Sequence, residues 1–346
     1  MMAAMEDTAA LEVVNFYYLF IYRLIDYLII KVMHAQVHDA IRRLYQHPTK
    51  LFPSQQPQSI DRTTLPLLFK DPSRYVVSQK ANGIHMTLLL ARLPPTNTPV
   101  CCLMDRCNTV TFYQVTCLPE LFDGSLFTGE LIASQNTASP IFWAFDSIAY
   151  RGTSLLKEGY LKRLAAAEAL AADSLAGKFS ITNIDFRCKP CYKLFDFLGS
   201  FNPLSDDDGL IFMPVDCPLT RSLPFKWKQQ HTVDLLLHAR GTTPGNYCYR
   251  VLQPAGMENV LQLDVHQSAL LRTTEDLLVG CNTGEYQVVV ECLLEISNDR
   301  CTAVPVRFRH DKNTANASAT VVGTMRSAKE HITQQELVQL LGAVNN

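Results

Sequence analysis

Residues 75–93 read YVVSQKANGIHMTLLLARL, and they set the expected arrangement of strands around Lys80. Two runs rich in β-branched and aliphatic residues flank the short segment KANG, which predicts two strands separated by a tight turn. Gly83 allows the backbone of that turn to approach a ligand closely. Lys80 is therefore expected at a strand end, beside a turn that can border a binding site.

Further strands are predicted on the C-terminal side of this stretch. Short apolar runs alternate with turn residues, and they read VTFYQV, LFTGELI, PIFWAFDSIAY, DGLIFMPV, NVLQLDV and YQVVVECLLEI. Helical periodicity is sparse, and the clearest helix is predicted over Leu161–Leu175, whose alanines and leucines suit a packed surface helix. This mixture predicts an α+β fold.

A polar, glycine-containing run, ARGTTPGN at residues 239–246, interrupts the strand pattern. We place a domain boundary near residue 238, because such runs are typical of loops and linkers and strands resume beyond it. The prediction is an N-terminal apolar helical extension, a first domain, a small all-β second domain and a C-terminal helix, with the bounds 1–44, 45–238, 239–325 and 326–346.

Both ends of the chain carry a helical pattern. Residues 11–33 are the most apolar stretch, but the longest uncharged run, Val13–Tyr22, is about half of the roughly 20 residues that a membrane-spanning helix needs. The stretch is interpreted as a packed or dimer-forming helix, as an extension upstream of a start at Met33, or as a membrane contact; the features of a secretory leader are missing. Thr333 and Glu336 form a capping-box pattern at the start of a terminal helix.

Composition limits the classes of function. The 31 basic residues and 33 acidic residues give a formal charge of -2, which excludes a protein held to nucleic acid by bulk positive charge. Any phosphate site must therefore be local. The odd count of 11 cysteines suits a reducing compartment, where they remain thiols.

Three charged clusters could supply such a local site. Lys226 and Lys228 alternate with aromatic residues, so both are expected to project from one face of a strand. Asp206, Asp207 and Asp208 precede an apolar strand, where a carboxylate could hold a hard divalent cation. The third cluster, RFRHDK at residues 307–312, lies in the second domain.

Taken in chain order, these segments resemble the motif series of the covalent nucleotidyltransferases, and above all that of the mRNA cap guanylyltransferases. KANG resembles the nucleophile motif KxDG, and RFRHDKNTAN resembles the motif RxDK with a downstream asparagine. The segments that carry the resemblance are FPSQQPQSI (Phe52–Ile60), KANG (Lys80–Gly83), LMDRCNTVTFY (103–113), GEL (Gly129–Leu131), FWAFD (Phe142–Asp146), RCKPC (Arg187–Cys191), DGLIF (Asp208–Phe212), FKWKQQHTVD (Phe225–Asp234) and RFRHDKNTAN (307–316).

The resemblance implies a ligase-type, ATP-grasp-like nucleotidyltransferase domain of antiparallel sheets with helices, followed by an all-β OB-fold domain. It also implies a GTP:mRNA guanylyltransferase that works in two steps. Lys80 would attack the α-phosphate of GTP, releasing pyrophosphate and forming lysyl-GMP, and a 5'-diphosphate RNA end would then take up the GMP to form the GpppN cap. An amine attacks only when unprotonated, and neighbouring cations disfavour its ammonium form.

The resemblance assigns the catalytic roles to five basic residues. Lys80 would be the nucleophile, and Lys226 and Lys228 would grip the α-phosphate. Arg309 and Lys312 would reach the β- and γ-phosphates, which requires the second domain to swing shut.

A second set of residues is implied to bind GTP and a divalent metal, Mg²⁺ or Mn²⁺. Phe145 would stack on the base, Lys189 would read guanine, and Asp234 would orient the lysines. Asp208 would hold the metal, and Glu130 would hold the ribose or a metal-bound water. The implied GTP-binding set is Asn82, Gly83, His85, Arg106, Glu130, Phe145, Lys189, Asp234 and Asp311, and the metal set is Asp208 and Glu130.

Three positions depart from the family pattern. Asn82 replaces the aspartate of KxDG, His85 replaces an arginine, and Thr128 replaces an acid ahead of GEL. The alternatives to a guanylyltransferase are an ATP-dependent polynucleotide ligase and a degenerate, non-catalytic module that binds RNA ends or partner proteins.

The resemblance also implies partners. Capping needs a 5'-diphosphate RNA end, so a separate RNA 5'-triphosphatase and a separate cap methyltransferase are expected, with an RNA polymerase tail as a further candidate partner and no membrane partner. The expected location is the nucleus, or the replication site if the source is a virus.

Overall fold

Two sheets flank the turn after Lys80, and a third sheet forms the second part of the chain. The structure is a computed structural model that describes residues 28–47, 55–133, 139–194, 196, 209–240, 248–252, 261–263, 285–297, 300–310 and 312–343. The predicted site residues Asp208 and Asp311 lie outside the described residues, as do residues 1–27 of the predicted extension.

The helices that we name are α1 (residues 28–45), α2 (Leu65–Lys70), α3 (Tyr160–Leu175), α4 (Ser318–Glu330) and α5 (Gln334–Ala343). The strands are β1 (Gln58–Ser59), β2 (Tyr75–Gln79), β3 (Ile84–Leu93), β4 (Thr98–Met104), β5 (Val110–Tyr113), β6 (Val115–Thr116), β7 (Ser125–Ile132), β8 (Ile141–Tyr150), β9 (Thr153–Ser154), β10 (Ser180–Ile181), β11 (Asp185–Cys188), β12 (Tyr192–Lys193), β13 (Leu210–Pro214), β14 (Phe225–Trp227), β15 (Thr232–Arg240), β16 (Cys248–Leu252), β17 (Leu261–Leu263), β18 (Glu285–Ser297) and β19 (Arg300–Phe308). The predicted α+β class is confirmed, and the predicted helix is α3.

The strands form three main sheets. The lysine sheet has the order β1-β14-β13-β2-β12, and the central sheet has the order β11-β8-β7-β3-β4-β5, with β9 paired to β8. The second-domain sheet has the order β16-β15-β18-β19-β17. Because β2 belongs to the lysine sheet and β3 to the central sheet, the KANG turn connects the two sheets of the first domain.

Strand β3 is apolar on both faces because the central sheet is covered on both sides. Leu89 packs in one core with Ile41 of α1, and Leu88 and Leu90 pack in another with Leu170 of α3. All five side chains are fully buried, and burying one such side chain stabilises the fold by about 1.5 to 3 kcal/mol. The run TLLLA is therefore a central strand, and it fixes where the KANG turn begins.

The lysine sheet has one apolar face and one polar face. Phe225 and Trp227 of β14 are buried in a core with Val77, whereas Lys226 between them is only partly buried and faces the other side. The predicted alternation of β14 is thus confirmed. Lys80 follows β2 on the same sheet, two strands away from Lys226.

Gly209 holds the turn before β13 in a conformation that other residues do not adopt easily. Its φ is +126°, and a Cβ at this position would lie 2.0 Å from the carbonyl oxygen of Trp227. We expect Gly209→Ala to lower the free energy of unfolding by about 2 to 4 kcal/mol, because the left-handed backbone and the steric overlap add up. Urea denaturation followed by circular dichroism measures this.

A matched control for this substitution is Gly323→Ala in α4. A Cβ at Gly323 would contact nothing within 4 Å. Because alanine favours a helix over glycine, this variant should be more stable by about 0.5 to 1 kcal/mol. Equal effects of the two substitutions would contradict the role given to Gly209.

The second domain starts earlier than predicted. The predicted boundary near residue 238 falls inside β15, which pairs along its whole length with β18 from Thr232 to Arg240. The strands β15 and β16 pair antiparallel, and the first two residues of the polar run, Ala239 and Arg240, belong to β15. The change from one domain to the other lies before Thr232.

The C-terminal region contains two helices where one was predicted. The predicted boundary between residues 325 and 326 cuts α4, whose Val321 and Met325 are buried against the second-domain sheet. Helix α4 was missed because threonine, valine and glycine have modest helix propensities, so packing contributes much of its stability. The predicted cap of α5 is confirmed, since the Thr333 hydroxyl accepts a hydrogen bond from the Glu336 amide at 3.2 Å.

The segment around α5 returns to the first domain. Ile332 and Leu337 are buried in the core behind the lysine sheet, and Trp227 Nε1 donates a hydrogen bond to the Ile332 carbonyl oxygen at 2.8 Å. Arg62 of the first domain forms an ion pair with Glu336. The C-terminal segment therefore connects the second domain back to the face of the lysine sheet opposite its lysines.

Helix α1 belongs to the core of the first domain. Val37, Ala40 and Ile41 are buried against the central sheet, so the described part of the predicted extension is a packed helix. Within the described residues, none of the helices is both long enough and apolar enough to span a membrane.

Candidate functional site

The KANG turn is fixed by backbone contacts on both sides. The Lys80 amide donates a hydrogen bond to the Gly209 carbonyl oxygen at 2.8 Å. A Cβ on Gly83 would lie 2.9 Å from the Leu131 carbonyl oxygen, so only glycine lets the turn approach β7 this closely. The backbone that carries Lys80 is therefore held between the two sheets.

The lysine sheet forms one wall of the cavity beside this turn. Lys226 of β14 is in register with Ile211 of β13, which is in turn in register with Ser78 of β2. Residues in register on neighbouring strands share a face, so Lys226 and Ser78 project from the same side of the sheet. Lys80 lies two residues after Ser78 and therefore projects from that side as well. Both line the cavity together with Lys228.

The central sheet forms the opposite wall, and Lys189 is its most buried charged group. The Lys189 side chain is 4% exposed, and its Nζ lies 3.5 Å from Glu130 Oε2 and 5.8 Å from the centre of the Phe145 ring. Burial lowers the pKa of Lys189, the Glu130 carboxylate opposes that shift, and Lys80 adds to it. An amine held between a carboxylate and an aromatic face is suited to donating hydrogen bonds to a stacked base.

His85 lies on the same wall and contacts a second predicted residue, Arg106. Arg106 Nη2 lies 2.8 Å from His85 Nδ1, and the His85 ring is 5.2 Å from that of Phe145. Burial, followed by Arg106, Lys189 and Lys80, lowers the pKa of His85 well below 6.5. The imidazole is therefore neutral near pH 7, and Nδ1 can accept a hydrogen bond from the Arg106 guanidinium.

Asp234 organises the wall that belongs to the second domain. Its carboxylate is 7% exposed and accepts hydrogen bonds from Arg309 Nη1 at 3.2 Å, from Lys312 Nζ, and from Asn316 Nδ2 at 3.4 Å. The Asp234 amide in turn donates to Asn316 Oδ1 at 2.8 Å. One buried anion thus holds two cations at the edge of the cavity.

The three walls enclose one cavity of about 230 Å³ that is strongly cationic. Its described lining contains three carboxylates, those of Glu130, Asp234 and Glu291. The basic residues that line it are Lys80, Arg106, Lys189, Lys226, Lys228, Arg307, Arg309 and Lys312. Among the described lining residues, eight cations against three carboxylates produce a local positive field in a chain whose formal charge is -2, and such a field can compensate a ligand with several negative charges.

The structure brings the predicted site residues together wherever it describes them. Those that line the cavity are Lys80, Asn82, Gly83, His85, Arg106, Glu130, Phe145, Lys189, Lys226, Lys228, Asp234, Arg309 and Lys312. The predicted residues Asp208 and Asp311 lie outside the described residues.

Sequence reasoning gave no role to several residues that also line the cavity. Thr232, Glu291 and Arg307 come from the second domain, and Tyr160 comes from α3. Glu291 had a visible signal, because it is the acid in the middle of the apolar run QVVVECLL. Thr232 and Arg307 lie inside the quoted segments FKWKQQHTVD and RFRHDKNTAN, but their contacts depend on the pairing of β15, β18 and β19, which those segments do not reveal.

Glu130 has a buried carboxylate oxygen that could bind a divalent cation. Its Oε2 is buried and makes no hydrogen bond, although Lys189 Nζ lies 3.5 Å away. A carboxylate oxygen is the type of ligand that Mg²⁺ and Mn²⁺ prefer, so Glu130 fits as one ligand. The described residues contain no group of three or more potential metal ligands.

His231 lies beside Lys226 and Lys228 in a small cavity next to the lysine wall and is partly buried. Burial, followed by Lys228, His331 and Lys226, lowers its pKa from 6.5 to about 4. Between about pH 4 and about pH 6.5, His231 is protonated in the unfolded chain but not in the folded chain. The free energy of unfolding should therefore fall as the pH drops from about 6.5 to about 4, with no contribution above that window.

His231→Asn should remove this part of the pH dependence. We expect the stability difference between about pH 7.5 and about pH 4.5 to shrink by roughly 2 kcal/mol relative to the parent chain, after allowance for solvent screening. Urea denaturation at the two pH values measures it, with the exposed His310→Asn as the control. An unchanged difference in His231→Asn would count against the assignment.

The comparisons with known proteins agree with this geometry. A family model described as the mRNA capping enzyme, catalytic domain, matches residues 28–230, and one described as the mRNA capping enzyme, C-terminal domain, matches residues 230–338. Their junction at residue 230 coincides with the start of the second-domain sheet, and the second match agrees with the predicted OB-fold domain.

Relatives with similar sequences are also named as mRNA-capping enzymes. The chain is 30% identical over 229 residues to the mRNA-capping enzyme subunit alpha of Saccharomyces cerevisiae, which covers 55% of this chain and 48% of the relative. It is 30% identical over 226 residues to the corresponding subunit of Eremothecium gossypii, covering 54% and 47%. The chain spans about half the length of the curated relatives that it matches.

Among solved structures, the chain is similar to an ATP-dependent DNA ligase from bacteriophage T7 in complex with ATP. The identity is 10%, the TM-score is 0.34, and the match covers 75% of this chain and 99% of the ligase. A TM-score this low supports no argument about fold or function. The two family models, which together cover residues 28–338, are decisive: the chain belongs to the mRNA capping enzyme family.

Proposed function

We propose that this chain is a GTP:RNA guanylyltransferase and that Lys80 carries the GMP. The observation that supports it most directly is that eight cations line one cavity beside the Lys80 turn, in a chain without a net positive charge. A nucleoside triphosphate brings about four negative charges, which such a cavity compensates. Membership of the capping enzyme family gives the reaction class.

In the first step, Lys80 Nζ attacks the α-phosphorus of GTP. A phosphorus–nitrogen bond forms, the bond from the α-phosphorus to the bridging oxygen breaks, and pyrophosphate leaves. Lys226 and Lys228 stabilise the negative charge that builds up on the α-phosphate oxygens. Their positive charges also disfavour the ammonium form of the attacking amine, so the same two residues assist the nucleophile and the transition state.

In the second step, a terminal oxygen of a 5'-diphosphate RNA attacks the phosphorus of lysyl-GMP. The phosphorus–nitrogen bond breaks, the lysine recovers its amine, and GpppRNA is released. Arg309 and Lys312 bind the β- and γ-phosphates during the first step, and they are held at the cavity edge by Asp234. Release of pyrophosphate and entry of RNA require the second domain to move away from the Lys80 turn.

The nucleotide is bound by the central-sheet wall. Phe145 stacks on the base, and Lys189 donates to the guanine oxygen. Arg106 binds phosphate or ribose, and Asn82, Gly83 and His85 shape the site around the sugar. A divalent cation, Mg²⁺ or Mn²⁺, held by Glu130 and by Asp208 would neutralise phosphate charge when bound.

The proposal includes the division of the chain and its setting. We propose a nucleotidyltransferase domain that ends near residue 230, an OB-fold domain that follows it, and a C-terminal helix that returns to the first domain. The expected partners are 5'-diphosphate RNA ends, a separate RNA 5'-triphosphatase, a cap methyltransferase and an RNA polymerase tail. The expected location is the nucleus, or a viral replication site.

The test is covalent labelling of the purified chain. Incubation with GTP labelled at the α-phosphate and Mg²⁺ should give a labelled protein band that survives denaturation and is chased into capped RNA by a 5'-diphosphate transcript. Parallel reactions contain labelled ATP. Label from ATP alone would favour a polynucleotide ligase, and no label from either nucleotide would favour a non-catalytic binding module.

A further inference from the structure

Arg307 joins the two domains through the turn that carries Lys80. Its Nη2 donates a hydrogen bond to Asn82 Oδ1 at 3.3 Å, and its Nε donates to Glu291 Oε2 at 2.6 Å. Arg307 belongs to β19 of the second domain, whereas Asn82 lies two residues after Lys80 in the first domain. One guanidinium therefore contacts both domains at the edge of the cavity.

Glu291 continues this chain of contacts toward a phosphate-binding lysine. Thr232 Oγ1 donates to Glu291 Oε1 at 2.7 Å, and Lys228 Nζ donates to Thr232 Oγ1 at 3.2 Å. Burial opposes ionisation of Glu291, but the hydrogen bonds from Thr232 and Arg307 outweigh it and lower the pKa of this carboxyl. Glu291 is therefore an anion that links Arg307 to Thr232, the residue that accepts a hydrogen bond from Lys228.

We infer that Arg307, Glu291 and Thr232 are positioning residues that couple closure of the second domain to the placement of Lys228 for nucleotidyl transfer. The inference rests on the proposed function. When the second domain closes, Arg307 reaches Asn82, and the same side chain orients Glu291. Glu291 in turn orients the Thr232 hydroxyl that accepts the hydrogen bond from Lys228.

This arrangement gives a reason for asparagine at position 82. A guanidinium forms a weaker contact with a neutral amide oxygen than with a carboxylate. With Asn82, the closed arrangement is favoured while the domains can still separate for RNA entry. With an aspartate, the contact would be an ion pair, and opening would be slower.

The first experiment measures the interdomain contact without any reaction. Amide hydrogen exchange of the unliganded chain is followed by mass spectrometry in the peptide that covers residues 80–84. Arg307→Gln should raise its exchange rate by about fivefold to tenfold, as expected for the loss of a hydrogen bond to a charged group. Arg300→Gln, an exposed arginine on the same strand, should leave it unchanged, and an equal rate in the parent chain and Arg307→Gln would overturn the inference.

The second experiment measures the coupling during the reaction. In single-turnover labelling with GTP, Arg307→Gln and Thr232→Val should each slow lysyl-GMP formation by about tenfold. Thr232→Val should leave the exchange of residues 80–84 unchanged, because it removes the contacts of the hydroxyl with Lys228 and Glu291 but keeps the hydrogen bond from Arg307 to Asn82. A purely structural role for Thr232 would instead change exchange and stability without a selective effect on the labelling rate.

A double-mutant cycle gives the sharpest result. Asn82→Asp should slow transfer of GMP to RNA by about threefold or more, because it strengthens the contact with Arg307, and this effect should vanish in the Arg307→Gln background. An equal effect in both backgrounds would overturn the inference. Absence of any adduct in the parent chain would overturn the proposed function, whereas a normal adduct with unchanged rates in Arg307→Gln and Thr232→Val would overturn the inference alone.

Discussion

Replacing Lys80 by alanine should abolish the covalent GMP adduct, with a fall in labelling rate of about 10⁴-fold or more. The expected loss is large because Lys80 is the lysine that the KANG turn carries, and its amide is fixed to the Gly209 carbonyl oxygen. The measurement is single-turnover labelling with GTP, resolved on a denaturing gel. Capped RNA should disappear in parallel.

Two further variants make the result specific. Lys80→Arg keeps a positive charge but presents a guanidinium that stays protonated and cannot attack phosphorus, so it should be equally inactive. Lys157→Ala, an exposed lysine away from the cavity, should label like the parent chain. A labelled band that persists in Lys80→Ala would mean that another residue carries the nucleotide, and the proposed mechanism would fail.

The second large effect is expected for Asp234→Ala. The Asp234 carboxylate is 7% exposed and neutralises Arg309 and Lys312, so its loss leaves two partly buried cations repelling each other. We expect the free energy of unfolding to fall by about 2 to 4 kcal/mol, somewhat less than for a fully buried pair because both partners reach solvent. Lysyl-GMP formation should fall by about 10²-fold, since the two cations lose their position.

Urea denaturation and single-turnover labelling of the same preparations separate these effects. Asp234→Asn keeps the hydrogen-bonding shape and loses the charge, so it should lie between the parent chain and Asp234→Ala. Glu295→Gln, an exposed acid on the neighbouring strand β18, is the control and should change neither quantity measurably. A stability change below about 0.5 kcal/mol for Asp234→Ala would show that Asp234 does not organise this wall.

Patterns of neighbouring residues in the sequence predicted several strands, turns and the helix α3 of the first domain correctly. The KANG turn, the alternation of Phe225, Lys226 and Trp227, and helix α3 each depend on neighbouring residues, whose periodicity is visible in the sequence. The same is true of the cap at Thr333. The resemblance to capping enzymes then named the residues that line the cavity.

The parts that could not be predicted depend on contacts between distant segments. The boundary near residue 238 was wrong as a sheet boundary because a polar run looks the same whether it joins two domains or two strands of one sheet. Helix α4 has weak local propensity and is stabilised by burial of Val321 and Met325. Arg307 gains its two partners only when β19 pairs with β18, which no short stretch of sequence reveals.

The hydrogen bond between Trp227 and Ile332 has a consequence for how the protein moves. The chain passes from the first domain to the second after Trp227 and returns at Ile332, and this bond of 2.8 Å holds the outward and return crossings side by side. Because the two connections between the domains are adjacent, we expect the relative motion of the domains to be a rotation about one axis near Trp227 and Ile332. We expect rotation about that axis to separate Arg307 from Asn82, which is the motion that the proposed transfer to RNA requires.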